Sequence, residues 1–381
     1  MEEWATYKLG EIAECSLGKM LDQRKNKGKP RTYLGNVAVR WGSFNIDPTQ
    51  TMLFEDHELE KYSLKKNDIV ICEGGEPGRC AIWKSNDTIL IQKALHRVRV
   101  NTEIADPLYV YYYISHLAKS HLLEPLFTGS TIKHLPRERL VSIDIRLPDL
   151  STQKQISSIL AVIDDKRHTN SLINDNLEQQ ASSLLSDWIS TYPCRTYKLS
   201  DIGKYVSDKC DTGDLTSQNY ISTENMLPNK KGIVDASNIP TGKVTCFKVD
   251  DILIANIRPY FQKIWKADIS GGCSTDVLCI RSCVESHSPI LYWILHQDAF
   301  FEYVMTGAKG CKMPRGDKQH IMNWTIDLPE PEYWADIATQ LGAVDQRLAY
   351  NRVESINLSN LRDTLLPKLM SGELELNEID C

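Results

Sequence analysis

The stretch LAVIDDKRHTNSLINDNLEQQASSLL (Leu160–Leu185) decides how this chain is built, because a diverged copy of it, LGAVDQRLAYNRVESINLSNLRDTLL (Leu341–Leu366), returns 181 positions later. Within and beside the first copy, Ile156, Leu160, Ile163, Leu177, Ala181, Leu184 and Trp188 fall at alternating steps of four and three. In the second copy Ile337, Leu341, Val344, Leu348, Leu358, Leu365 and Leu369 keep the same frame. That alternation draws one apolar seam along a helix, the pattern of a coiled coil. The seam is interrupted by Arg167, Asn170 and Asn174 in one copy and by Asn351, Ser355 and Arg362 in the other. Asn170 and Asn351 occupy equivalent positions. A seam asparagine costs stability but penalises slipped pairings, which bury its amide without a partner. A Pro-Asp pair ahead of the first helix, then Ser151 or Thr152 as N-cap with Gln155 beyond it, predicts where that helix begins.

The duplication reaches outward from the helices. TYKLGEI at Thr6 is answered by TYKLSDI at Thr196, and NDIVICEGGEPGRCAIWK (Asn67–Lys84) by DDILIANIRPYFQKIWK (Asp250–Lys266). GSTIKHLPRERLVSIDIRLP (Gly129–Pro148) is answered by GCKMPRGDKQHIMNWTIDLP (Gly310–Pro329). The offset drifts from 190 through 183 and 182 to 181, so insertions fall inside the globular parts while the helices hold register. Such a repeat is too long for a solenoid unit. Strand-like runs with turn signals and one helical run per half predict α+β architecture: two pseudo-symmetric α/β domains, joined and separated by two long antiparallel helices that form a coiled coil. The expected boundaries are a first domain at 1–150, a spacer helix at 151–190, a second domain at 191–331, and a C-terminal spacer helix and tail at 332–381. Forty helical residues extend about 60 Å. A stiff pair of that length carrying a reading head at each end suits an elongated partner of repeating geometry, and duplex DNA is the natural one.

Composition narrows the class. At 381 residues and 42% apolar content the chain can bury more than one core. No run approaches the ~20 apolar residues that span a bilayer, and MEEWATYKLG lacks the layout of a secretion signal. Eleven scattered cysteines, with Cys279 and Cys283 lacking a histidine partner, predict reduced thiols in a cytoplasmic protein and no metal site. The net charge of −6 argues against nonspecific coating of nucleic acid, yet a phosphate responds to local groups.

Local basic groups are present. Lys19, Arg24, Lys25, Lys27, Lys29 and Arg31 cluster with Asp22 as the opposing acid, a pattern that phosphates favour through counterion release. Asn36, Arg40 and Trp41 follow, offering the amide and guanidinium groups that pair with adenine and guanine edges. In EGGEPGR the glycines permit a tight turn from which Glu76 or Arg79 can reach a base; a plain turn is the alternative reading. The matched loop of the second half has no glycine run and carries Asn256, Arg258, Tyr260 and Lys263. Ahead of each long helix lie further cations: Lys133, His134, Arg137 and Arg139, then Lys309, Lys312, Arg315 and Lys318, placed for phosphate anchoring. His96 and His134 have no acidic or thiol companions that suggest a metal.

GKMLDQRKNKGKPRTYLGNVAVRWGSF (Gly18–Phe44), CEGGEPGRCAIW (Cys72–Trp83), IQKALHRVRV (Ile91–Val100), GSTIKHL (Gly129–Leu135) and NIRPYFQKIW (Asn256–Trp265), in this order and with the duplicated layout, resemble the specificity subunits of type I restriction-modification systems. Members usually open each helix with Glu-Gln, where this chain has Thr152-Gln153 and Tyr333-Trp334. The resemblance covers nearly the whole chain. It implies that each half is a target-recognition domain for one part of a split DNA site. It implies that the helices bind two methyltransferase subunits that methylate adenine N6 with S-adenosylmethionine, and that restriction (motor-nuclease) subunits driven by ATP with Mg2+ complete the complex. The chain itself is then a non-catalytic reader with no cofactor of its own. In keeping with this, NIRPY is not an amino-methyltransferase motif, GGEPGR lacks the Walker Gly-Lys-Ser/Thr, and no nuclease Glu-x-Lys follows LPDL. Two other readings stand beside it: a coiled-coil protein-interaction scaffold, and the specificity part of a combined methylase-nuclease without an ATP motor.

Overall fold

The computed structural model describes residues 4–22, 24–310 and 312–374. The chain divides into two compact units, residues 1–167 with 356–381, and residues 168–355. Each unit therefore takes part of both long helices, Leu150–Thr191 and Trp334–Ser371.

The first unit is built on a four-stranded antiparallel sheet in the order Ala13–Leu17, Leu95–Val100, Ile69–Cys72, Cys80–Ile82. Ile69–Cys72 reads as an unbroken apolar run and is buried on both faces. One face receives the helix Pro107–Lys119, which starts where Asp106 accepts the Tyr109 N–H at 2.9 Å and Pro107 supplies a preset φ. Asp68, buried at the mouth of the central strand, grips Arg99 through two bonds of 2.8 and 2.6 Å. The other face is covered by a second sheet, Thr51–Phe54, Lys29–Leu34, Leu90–Ile91.

The second unit repeats the inner sheet strand for strand: Gly203–Tyr205, Val277–Ser282, Ile252–Ala255, Ile264–Lys266. Asp251 grips Arg281 through two 2.7 Å bonds, as Asp68 grips Arg99. The outer sheet has diverged. Its strands run Lys209–Asp211, Lys243–Phe247, Gly271–Cys273, Tyr220–Ile221, and Lys243–Phe247 pairs with Gly271–Cys273. In the first unit the corresponding parallel pair, Tyr33-Leu34 with Leu90-Ile91, receives its antiparallel neighbour on the other strand.

The long helices pack antiparallel within each unit. In the second, Asn170 reaches Glu354 (2.7 Å) and Ser355 (3.4 Å), Asn351 reaches Asn174 (2.7 Å), and the Trp188 indole reaches the Tyr333 carbonyl (3.0 Å). The two asparagines are fully buried, and their bonds exchange under the 181-residue offset: Asn170 with Ser355, Asn351 with Asn174. In the first unit Arg362 bonds Asp164 at 3.0 Å, while Ile156 and Leu160 share one apolar cluster with Leu366, Leu369 and Met370. Ile163, Ile337, Leu341 and Val344 are buried as the seam predicts; Leu177 and Leu358 are half-buried.

Two expectations need correction. The buried position near each helix end is Leu185 or Leu366, whereas the predicted Leu184 and Leu365 are half-exposed. A 3.6-residue turn drifts ~20° per heptad against a 3.5 repeat, and the same one-residue slip occurs in both copies. The N-cap of the first helix is Asp149, whose Oδ1 accepts the N–H groups of Ser151 and Thr152 at 2.9 and 3.1 Å. A carboxylate serves both donors and the positive helix end at once.

The helix starts also show one bond made by two unlike residues. Gln153 Nε2 donates to the Pro148 carbonyl at 2.8 Å, and Trp334 Nε1 donates to the Pro329 carbonyl at 2.7 Å. Both side chains are buried. Either N–H satisfies the carbonyl that the proline-to-helix junction leaves inside.

Candidate nucleic-acid interface

In each unit the inner-sheet hairpin ends in a loop clamped by the segment that precedes a long helix. In the first, the loop at 73–79 is bridged by 128–134: Gly74 pairs with His134, and Leu135 N–H donates to the Glu73 carbonyl at 2.7 Å. In the second, the loop at 256–263 is bridged by 309–315: Ile257 and Lys309 both pair with Arg315, and Arg258 N–H donates to the Pro314 carbonyl at 2.9 Å. Loop and basic segment, far apart in sequence, thus form one surface in each unit.

The first-unit tip needs its glycines. Gly75 and Gly78 have φ of 74° and 88°, and a Cβ on Gly75 would lie 2.5 Å from Asn36 Nδ2. Asn36 is a buttress there, donating to the Gly74 carbonyl at 2.8 Å. Arg79, 14% exposed in its side chain, donates to Glu76 Oε2 at 2.7 Å and to the Asn36 carbonyl at 3.1 Å. Trp41 Nε1 donates to Glu76 Oε1 at 2.9 Å, with Lys119 over its ring. Glu76, 51% exposed in its side chain, is the polar group this arrangement presents. The polar atoms of Asn36, Trp41 and Arg79 expected to face a base are instead engaged in bonds within the loop.

Lys19 is likewise corrected. It is buried, ion-paired to Glu58, bonded to the Leu53 carbonyl at 2.9 Å, and lies over the Phe54 ring. Arg24, Lys25, Lys27, Lys29, Arg31 and Arg40 are exposed, with Lys25 loosely paired to Asp22 at 3.7 Å. Lys133 and His134 are exposed; Lys133 lies 3.8 Å from Glu124. His96 is fully buried with Nε2 2.8 Å from the Leu135 carbonyl, and burial lowers its pKa, so it is a neutral structural donor.

The second tip is built differently. Arg258 and Gln262 adopt left-handed φ of 58° and 51° on either side of Pro259–Phe261, conformations costly for non-glycine residues. They are held because Asn229 and Lys230 N–H groups donate to the Phe261 and Gln262 carbonyls. Tyr260 is exposed at the tip. Asn256 is buried and belongs to the loop base, and Lys263 donates to the Thr223 carbonyl at 2.6 Å, so neither presents its polar end outward. Arg315 is paired to Asp276 and Lys309 to Asp317, each at 2.7 Å, while Lys312 is exposed. Sequence reading missed these acids and Glu58, because nothing in their spacing marks them as partners of distant cations.

The nine described cysteines are free, and burial pushes the thiols of Cys72 and Cys80 up to about 11 and about 12, which keeps them protonated core residues. Glu55, His57 and Glu58 come within reach of a common ion, but Glu58 already serves Lys19 and the Glu55 N–H. Among the described residues no helix is long and apolar enough to cross a membrane.

Comparison with known proteins agrees with this architecture. A family profile described as type I restriction modification DNA specificity domain matches residues 1–179. The type I restriction enzyme MjaVIII specificity subunit of Methanocaldococcus jannaschii is 20% identical over 100% of this chain and 95% of its own length. The putative type I restriction enzyme MjaX specificity subunit of the same organism is 29% identical over 98% and 94%. The crystal structure of a type I restriction-modification S subunit from M. genitalium superposes with a TM-score of 0.58 at 17% identity, covering 96% of both chains. Residues 1–179 thus match the type I restriction modification DNA specificity domain, and over nearly its whole length the chain is similar to specificity subunits of type I restriction-modification systems.

Proposed function

We propose that this chain reads a bipartite duplex target, one half-site per unit, and sets the spacer between them with its two shared helices. The observation that carries the reading is the matched pair of clamped loops: the same hairpin, held by the same pre-helix segment, bears unrelated chemistry in the two units. A protein that must recognise two different sequences needs one scaffold with two different tips. Phosphate anchoring falls to Arg24, Lys25, Lys27, Arg31, Lys133 and Lys312, which are exposed, and to Lys309 and Arg315, whose acids must yield them. His134, exposed beside Lys133, joins the phosphate anchors, and Arg40, Glu76, Arg258 and Tyr260 face the bases.

The central helix passes unbroken from one unit into the other, which makes it the natural ruler. Two methyltransferase subunits using S-adenosylmethionine at adenine N6 dock on the helices, and restriction subunits supply the ATP- and Mg2+-dependent motor and nuclease. The chain supplies recognition and assembly without catalysis, in the cytoplasm.

Filter binding with bipartite duplexes over a salt series, in the presence of the methyltransferase subunit, tests this. The expected log K falls linearly with log salt, at about −0.9 per phosphate contacted. Undetectable or salt-insensitive binding supports a protein scaffold instead, and co-purification without an ATP-hydrolysing partner supports a combined methylase-nuclease.

A further inference from the structure

Glu76 is an acid placed at the tip of a surface otherwise suited to a polyanion. Its carboxylate is exposed, yet each oxygen is fixed by one donor: the Trp41 indole on Oε1 and the Arg79 guanidinium on Oε2. The support behind it is rigid. Arg79 is tied to the Asn36 carbonyl, Asn36 to the Gly74 carbonyl, and the loop closes through Cys72 N–H to the Arg79 carbonyl at 2.8 Å and Gly78 N–H to the Cys72 carbonyl at 3.1 Å. A carboxylate acting as an acceptor has about four lone-pair sites, of which the two donors use two here. A phosphate gains nothing from such a group. A base edge that offers a donor does.

In the major groove the donors are the cytosine N4 and adenine N6 amino groups; guanine and thymine show acceptors there, which a carboxylate repels. Adenine also places its N7 lone pair beside N6, whereas cytosine places only a C–H beside N4. Resting on the DNA-reading function above, we propose that Glu76 is a specificity-determining residue that accepts from the N4 amino group of a cytosine in the half-site read by the first unit, with Trp41 and Arg79 as its positioning residues.

The test uses the chain assembled with its methyltransferase subunit and maps the methylated motif of wild type and Glu76→Gln. Glutamine keeps one acceptor and adds a donor, so preference at one cytosine should fall by about tenfold or more while the other half-site stays unchanged. A motif unchanged at every position would overturn the assignment. The same contact is probed from the DNA side with wild-type protein, which guards against misassembly of the variant. Replacing that cytosine by its analogue without the N4 amino group should weaken binding about as much as the variant does. Full binding to every such analogue would also overturn it. Loss of bipartite recognition in the wild type is a different result, because it removes the DNA-reading function itself.

Discussion

The two units share a frame and differ at their tips, and the boundary between sameness and difference is sharp. Inside the frame, the Tyr112 hydroxyl donates to Asp164 at 3.0 Å in the first unit, and the Trp293 indole donates to Asp345 at 2.9 Å in the second. The strand-mouth acids Asp68 and Asp251 each hold an arginine through two bonds. At the tips, one loop uses glycines to stay thin and presents a carboxylate, while the other forces Arg258 and Gln262 into left-handed backbone and presents an aromatic ring. Donors in the frame can change chemical type provided a donor remains, as Gln153 and Trp334 show. Tips are free to change altogether. The difference teaches that hydrogen-bonding function, rather than residue identity, is what the frame retains.

The comparison breaks most easily at its apolar centre. Leu160 and Leu341 are equivalent and fully buried, so L160A and L341A should each cost about 3 kcal/mol. Hydrogen exchange should localise the first loss to residues 4–167 with 356–374 and the second to 168–355; a single global loss from either substitution would show that the units do not fold as separate cores. D68A and D251A come next. Each removes a buried acid that serves a partly exposed arginine, and an expected loss of about 2 kcal/mol apiece is measurable by urea unfolding. A twofold or greater disparity between them would mean the matched geometry hides unequal energetics.

The effect that is smallest near neutral pH is protonation, which grows only on acidification. His296 occupies the place of Ser115, and burial, then the Lys230 charge, pushes its pKa from 6.5 down to about 3. The unfolded histidine takes up a proton near 6.5 and the folded one does not until far lower. Stability is therefore whole above 6.5 and falls as pH drops toward 3, by up to about 1.4 kcal/mol per pH unit. H296S, which copies the first unit, should flatten that slope for the second unit; an unaltered slope would contradict the assignment.

Much of the frame is legible in the sequence. The constant 181-residue offset exposed the duplicated helices, and Asn170 and Asn351 stood out because polar residues in an apolar seam are costly. The tips were legible in type but not in orientation. Lys19 and Arg79 carry the charge that a phosphate or guanine wants, yet Glu58 and Glu76 claim them first, and burial is not written in charge. Asp149 does not stand out as the cap because Asp149, Ser151 and Thr152 all qualify chemically, and only the local backbone chooses among them.

The claim that the paired helices set the separation of two independent readers is tested most directly by inserting matched helical residues into both helices, in step, and mapping the methylated motif by long-read sequencing. The account predicts a changed spacer between two unchanged half-sites. An unchanged spacer with full activity would contradict it.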